Sequence, residues 1–501
     1  MKRQAHPIIT GTLILTATGF LSRILGFFYR IYLSNLIGAE GMGIYQLIAP
    51  VTGVCFALCC GPIQTAISRF VAQSLATGHL KDGRSQFSAG LYLSEAIAVL
   101  LAGLIYVKAD FLAAALLGEP RTADLLRLLA LSLPITAAHS AINGYYYGKK
   151  KTEVPSLSQL AEQLVRVGVV CLIANYYLAQ GKELTVTIAA LGLIVGEMAS
   201  LLVSFLAIRV TFFHEDLLFE DLSATASLHK SGALRNILLL ATPLAANRLI
   251  LGVLQSIEAI QIPNRLQMSG LTSADALSVY GVLTGMSLPF ILFPSALTNS
   301  VSVMLLPSVA EAQSVSDTDK ISRTTELSIG YSVYLGILCT GIFVAWGGEM
   351  GSLLFQNSDA GTYITILGWL CPFLYLATTA GSILNGMGKT AATFVQNLAG
   401  LSIRLAFVFL LIPRYGILAY LWGMLASQLL VAGLHTFTLY RMIPFSFSAF
   451  YRVLRPMAAI AIAVRITKHM LPLSGLPGLV AGCLLICVFY LLFLLATKWA
   501  K

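Results

Sequence analysis

Two arginines, Arg23 and Arg30, stand inside an otherwise apolar run. Their seven-residue spacing is about two helical turns, so a helix would present both on one face. An arginine at membrane depth is costly unless it reaches an interface, a partner or a hydrated cavity. Its planar, permanently charged fork suits phosphate. Arg69, Arg248 and Arg404 occur in comparable apolar stretches. Arg69 lies close enough to a span end to snorkel, and Arg127 and Arg465 are read as structural for that reason. Glu162 and Arg166 are four apart and are expected to form a structural ion pair along a helix. Acids within the spans are fewer: Glu95, Glu197 and Glu258. Arginines in excess of acids favour an anionic cargo, with Arg23, Arg30, Arg69, Arg248 and Arg404 as candidate substrate ligands.

Other chemistries lack their residues. The eight cysteines lie in apolar stretches without a CxxC pair and read as small hydrophobes. The histidines show no metal-ligand spacing, and His139 reads as a satisfied helix residue. There is no phosphate-binding P-loop, no carboxylate pair in an outer loop, and no long loop to house an enzyme site. No metal, cofactor or catalytic residue is expected.

The elements that would position these arginines follow from composition. The 501 residues are 57% hydrophobic and 11% charged, with mean hydropathy +0.82. A soluble domain carries about 25% charged residues, so the surplus apolar surface here must face lipid. A bilayer core takes about 20 apolar residues per helix. About fourteen such stretches are legible, at 8–37, 45–73, 85–107, 122–147, 154–178, 185–210, 234–262, 276–309, 325–346, 362–386, 391–412, 415–440, 456–472 and 476–497. The first apolar run is too long and too charged for a cleavable signal. Net charge is +10, which reads as loop charge and not as a nucleic-acid footprint. Tyr145, Tyr146 and Tyr147 read as an interfacial aromatic belt. Prolines 50, 62, 243, 289, 294 and 307 predict broken or hinged spans.

Basic residues are unequally shared between the two sides. Lys2, Arg3, Lys81, Arg84, Lys149, Lys150, Lys151, Lys320, Arg323 and Lys389 are among those on one side. The other holds Lys108, Arg121, Lys182, Arg265, Arg414 and Lys468. The richer side is expected to be cytoplasmic, with both termini. SQLAEQLVR (158–166) lines up with QNLAGLSIR (396–404), and NGYYYGKK (143–150) faces NGMGK (385–389). These matches predict two pseudo-symmetric six-helix lobes around a central cavity, 1–211 and 234–441. A cytoplasmic linker at 212–233 and two added helices in 442–501 complete the domain reading. The fold class is an all-α integral membrane protein, and repeated lobes are a recurrent transporter design.

The segment SRILGFFYRIYLSNLIGAEGMGIYQLIAP (22–50) resembles the first span and following loop of oligosaccharide and polysaccharide-precursor flippases. INGYYYGKKKTEVPSLSQLAEQLVRV (142–167) resembles their fourth-to-fifth-span turn, and YGVLTGMSLPFILFPSALTNSVSVMLLPSVAEA (280–312) is similar to their eighth span. The resemblance covers essentially the whole chain and is to the stage V sporulation protein B group of the multidrug/oligosaccharidyl-lipid/polysaccharide exporter superfamily. It implies a fourteen-helix fold that moves an undecaprenyl-linked cell-wall, spore-cortex or polysaccharide precursor across the cell membrane of a Gram-positive bacterium. It also points to Glu258, in span seven, for sodium or proton coupling. Lipid II flippases share SRILGF, which carries Arg23 over, but usually show Arg-Asp where this chain has Tyr29-Arg30. That departure argues against lipid II itself. The alternatives are a lipid II flippase and a multidrug/cation antiporter, whose cavity should be acidic. Partners are the lipid-linked saccharide and membrane lipids, with a monomer expected.

Overall fold

The computed structural model describes residues 7–77, 80–182, 184–218, 230–445, 448, 450–470 and 475–499. All its regular elements are helical. A backbone group in lipid finds no water, so each span must satisfy its own hydrogen bonds. Among the described residues, twelve helices are long and apolar enough to cross a membrane. The chain is thus an all-α, multi-pass membrane protein.

Two compact units, Met1–Ile260 and Gln261–Lys501, divide the chain. The first holds α1 (Pro7–Gln46), α2 (Ala49–Ala76), α3 (Leu80–Val107), α4 (Pro120–Gly148), α5 (Glu153–Ala179), α6 (Thr187–Leu218) and most of α7 (Lys230–Met268). The second holds α8 (Ser273–Leu292), α9 (Ser295–Ser314), α10 (Thr318–Leu354), α11 (Ser358–Gly386), α12 (Thr390–Tyr415), α13 (Ile417–Met442), α14 (Arg455–Met470) and α15 (Gly475–Trp499). The span expected at 276–309 is two helices. Pro294 lacks the amide hydrogen that would continue the first into the second, and it stands as the cap residue of α9.

The units repeat one packing scheme. In the first, α4 packs on α2, α3 and α6, and α5 packs on α6; in the second, α11 packs on α9, α10 and α13, and α12 packs on α13. The turn after α4 and the turn after α11 match atom for atom. Lys151 N–H donates to Tyr146 O (3.0 Å), and Lys389 N–H donates to Leu384 O (2.9 Å). Lys150 and Gly388 both take positive φ, 57° and 78°. Each pair is offset by 238 residues, 389 against 151.

The same offset relates Gly148 to Gly386. A Cβ at Gly148 would stand 2.7 Å from Ser68 O, and one at Gly386 2.8 Å from Leu306 O, with Val71 and Val309 next nearest. Lipid tails are as apolar as leucine, so helices in a bilayer associate through such close small-residue contacts. The register differs from the match of the two Asn-Gly pairs: Gly386 corresponds to Gly148, not to Gly144, one helical turn earlier. The shared dipeptide is a coincidence within similar helix ends.

Two other sequence expectations change. Tyr145 and Tyr146 are 2% and 1% exposed and belong to the core with Ile67, Phe87, Ile208 and Ile237, so only Tyr147 is exposed. A hydroxyl can be buried there because it finds polar partners: Tyr146 Oη lies 2.7 Å from Thr211 Oγ1, and Tyr145 Oη donates to Glu215. The start of the expected linker, 212–218, continues α6, while 219–229 lies outside the described residues. The opposite end of the first unit carries its own ion pairs, Arg121 with Glu40 and Glu119, each at 2.7 Å.

In the second unit α14 and α15 pack on each other and on α10. Tyr490 Oη donates to Tyr334 O (3.0 Å), and the Trp346 ring fills the space beside Gly482.

Candidate functional site

Helix α1 packs on α5. Ser22 and Tyr29, also seven apart, are buried, whereas Arg23 and Arg30 immediately after them are exposed. The spacing therefore does place both arginines on one side of the helix, beside the packed stripe. Tyr29 and Arg30 both have Arg166 of α5 as an electrostatic neighbour, with Tyr45 also near each.

Arg166 Nη2 is paired with Glu162 Oε1 one turn before it on α5. Arg69 is exposed near the end of α2. Arg248, exposed on α7, lines a cavity of about 490 Å³ with Pro50, Gly53 and Phe56 of α2 and Gln255 and Ser256 of its own helix. Its Nη1 occupies the space that a Cβ at residue 61 would take, so glycine there admits the guanidinium against α2. Glu258 is 5% exposed on α7. Arg404 is half-buried on α12, in the second unit. Arg30 and Arg166 are thus neighbours, Glu162 and Arg166 are paired, and the remaining candidates are dispersed over α1, α2, α7 and α12.

A constellation not foreseen from the sequence lies in the first unit. A cavity of about 630 Å³ between α2, α4, α5 and α6 is lined by His139, Asn143, Gln159, Glu162 and Glu197, together with Phe56, Cys60 and several hydroxyl residues. His139 Nε2 stands 2.8 Å from Glu197 Oε2. On the other side of the ring, Nδ1 lies 3.3 Å from Asn143 Nδ2 and 3.4 Å from Ser200 Oγ. The available signals were His139 and Asn143 one turn apart and a lone glutamate in the apolar sixth span; only the fold shows that they meet. Among the described residues no group of His, Cys, Asp and Glu could hold a metal ion, and the eight cysteines are free.

At the cytoplasm-predicted end of the same unit, Arg84 at the start of α3 binds the end of α6. It donates to Glu215 Oε2 through Nε (3.0 Å) and Nη2 (2.8 Å), to Asp216 Oδ1 (2.6 Å) and to Phe212 O (3.0 Å). Lys149 pairs with Glu215 as well.

Paired helical units of this packing, with ionisable side chains set among apolar spans, define a multi-pass α-helical membrane protein. More particularly, the chain belongs to the polysaccharide biosynthesis protein family, whose model matches residues 8–313, over half of its length. It is 24% identical to stage V sporulation protein B of Bacillus subtilis (strain 168) over 443 residues, 88% of this chain and 85% of that one. Its fold is similar to that of the lipid II flippase MurJ in an inward closed conformation, with TM-score 0.74, 13% identity, and coverage of 98% of this chain and 100% of that one. It is also similar to an inward-facing multidrug resistance MATE family transporter of the MOP superfamily, with TM-score 0.65, 13% identity, and coverage of 86% and 97%.

Proposed function

We propose that the protein flips an undecaprenyl-pyrophosphate-linked saccharide, a precursor of cell wall, spore cortex or polysaccharide, from the inner to the outer leaflet. The observation that carries this reading is the exposure of Arg23 and Arg30 on one side of an apolar helix, with Arg166 an electrostatic neighbour of Arg30. A permanently charged fork is a poor lipid contact and a good pyrophosphate ligand. Arg69, Arg248 and Arg404 complete the proposed anion path, and Glu258 is the proposed coupling residue. Fourteen spans arranged as two six-helix lobes would rock to alternate access, with α14 and α15 as the added pair. Membership of the polysaccharide biosynthesis family supports the class of cargo, as do relatives named for sporulation and for lipid II flipping.

Depletion of the protein in its own host, followed by mass spectrometry of lipid-linked precursors, tests the reading. Accumulation of a polyprenyl-pyrophosphate saccharide is expected. An unchanged precursor pool together with raised sensitivity to cationic drugs would replace the flippase with a cation antiporter.

A further inference from the structure

The first unit holds a second cavity, of about 910 Å³, between α3, α4, α5 and α6. It shares no lining residue with the cavity around His139. Its walls are apolar: Ile135 and Ala138 of α4, Val165 of α5, and a stretch of α6 from Val195 to Phe205, about 15 Å long at the helical rise. Tyr92, Met198, Leu202 and Phe205 on its rim are exposed. Such side chains in the middle of a span meet lipid tails, not water, so the cavity opens sideways into the bilayer.

Glu95 is the one charged residue of the lining, at the middle of the span Lys81–Val107. Its Oε1 is buried and has no hydrogen-bond partner among the described residues. Two nearby donors are already engaged. The Cys59 thiol, an electrostatic neighbour of Glu95, donates to Cys55 O at 3.0 Å, and the Ser94 hydroxyl donates to Cys59 O. A buried acceptor left without a donor is costly, so the donor is to be sought outside the chain.

The second unit treats the matching place differently. The offset of 238 that relates the two turns also relates these helices. Pro134 and Pro372 correspond, and the buried Ser94, Ala98 and Ile105 of α3 fall on the buried Ser332, Gly336 and Phe343 of α10. In that register Phe373 and Leu376 replace Ile135 and Ala138, and both pack against Val431 and Ala432. The buried Val333 replaces Glu95. One repeat has bulk and an apolar side chain where the other has space and a carboxyl. The fold can therefore be packed without this cavity, and packing does not account for its carboxyl.

We propose that the cavity binds an uncharged lipid with a free hydroxyl, its chain lying along α6 and its hydroxyl donating to Glu95 Oε1. The class follows from depth and from the single open acceptor. A phospholipid tail fits the walls but brings no donor, and its charged headgroup stays at the interface, half a bilayer away from Glu95. An alkylammonium brings three donors and a charge to walls whose acceptors are confined to Glu95 and the rim phenol of Tyr92. A hydroxyl brings one donor to one open acceptor, and an uncharged lipid can carry it to mid-span. The site stands independently of the flippase reading, because none of its residues belongs to the proposed anion path.

The test uses the full chain in phosphatidylcholine nanodiscs. Each preparation carries a small fraction of a diazirine-bearing diacylglycerol, of its acetate ester, or of a diazirine phosphatidylcholine. Crosslinks formed on irradiation are mapped by mass spectrometry. The diacylglycerol is expected to label Met198 and Phe205 about tenfold more than the ester does, the upper end of what one neutral hydrogen bond supplies. It should also raise the melting temperature, as a ligand of the folded state must. Glu95→Val, the side chain of the second unit, should reduce diacylglycerol labelling to that of the ester and remove the rise, while melting at or above wild type without the ligand. Ile135→Phe combined with Ala138→Leu should abolish labelling at these positions with Glu95 in place. Should that double variant not fold, Met198→Trp on the exposed rim takes its role. Equal labelling by diacylglycerol and ester overturns the hydroxyl site and leaves a groove for any tail. Labelling that survives filling of the cavity overturns its location. A diazirine alkylamine that displaces the diacylglycerol in wild type but not in Glu95→Val overturns the uncharged class.

Discussion

Arg84 and Glu215 are 131 residues apart in sequence and share two hydrogen bonds, from Nε and Nη2 to one carboxylate oxygen. The Glu215 side chain is 10% exposed and also receives Lys149. Neutralising Glu215 leaves Lys149 without its carboxylate and Arg84 with only the exposed Asp216 as an ionic partner; breaking a buried pair costs about 3–5 kcal/mol, an upper bound here because Arg84 keeps that second partner. Glu215→Gln is therefore expected to lower the melting temperature of the purified protein strongly, with Arg84→Lys intermediate because the point charge survives and the fork does not. Wild-type melting of Glu215→Gln would reduce the cluster to a solvated surface network.

Much of this architecture was legible in the sequence, and the reasons for the rest are physical. Hydropathy fixes where a helix can cross, so α3 through α6 fall close to the expected spans. Periodicity gives the side of α1 that bears Arg23 and Arg30, because seven residues is an intrahelical distance. It cannot give Glu197 against His139, since that contact depends on how α4 meets α6. The misassigned tyrosines teach the same lesson. Tyr145 and Tyr146 sit at a boundary in sequence, yet Glu215 and Thr211 from another helix satisfy their hydroxyls and let them be buried. The repeat and its offset of 238 were detectable from the match of 158–166 with 396–404, but the Asn-Gly pairs suggested another alignment, because Gly144 and Gly148 differ by one turn and both read as helix-end glycines. Only the approach of Ser68 O and Leu306 O selects the second.

That register makes its own prediction. A methyl group at either Gly148 or Gly386 meets a backbone carbonyl, which cannot swing aside as a side chain would. Gly148→Ala and Gly386→Ala should each cost about 1–3 kcal/mol, the usual range for overpacking, read as comparable falls in melting temperature. A large effect at one position and none at the other would break the equivalence drawn between the two turns.

Orientation is expected to place Lys151 in the cytoplasm and Ala39 outside, from the unequal sharing of Lys and Arg. The check is an impermeant thiol reagent applied to intact cells carrying Lys151→Cys or Ala39→Cys in a cysteine-free background. Labelling should appear at 39 and, after the membrane is opened, at 151. The reverse pattern would invert the topology and turn the Arg84–Glu215 cluster to the outside.

Glu258 is the proposed coupling carboxylate on α7, where it is 5% exposed. Glu258→Gln should slow flipping and alter its dependence on sodium or pH gradients at normal membrane abundance. Unaltered ion dependence would remove Glu258 from the mechanism and leave it a packing residue of α7.

The arginines of α1 carry the functional reading, and their replacement decides it. An unsupported arginine at membrane depth costs at least about 2.5–3.5 kcal/mol on insertion scales, so its presence needs a use or a hydrated environment. In a structural role, alanine would reduce protein abundance and lysine would largely restore it. In an anion site the pattern reverses. Arg23→Ala should lose flipping with near-normal abundance, and Arg23→Lys should weaken it because an ammonium cannot form the two parallel bonds of the fork. Arg30→Ala should act in the same direction, and the nearby Arg166, tied to Glu162, should not substitute for it. The measurement is complementation or precursor flipping normalised to folded protein in the membrane. Full activity of the Arg23→Ala, Arg30→Ala double variant at equal abundance would sink the anion site and, with it, the pyrophosphate assignment.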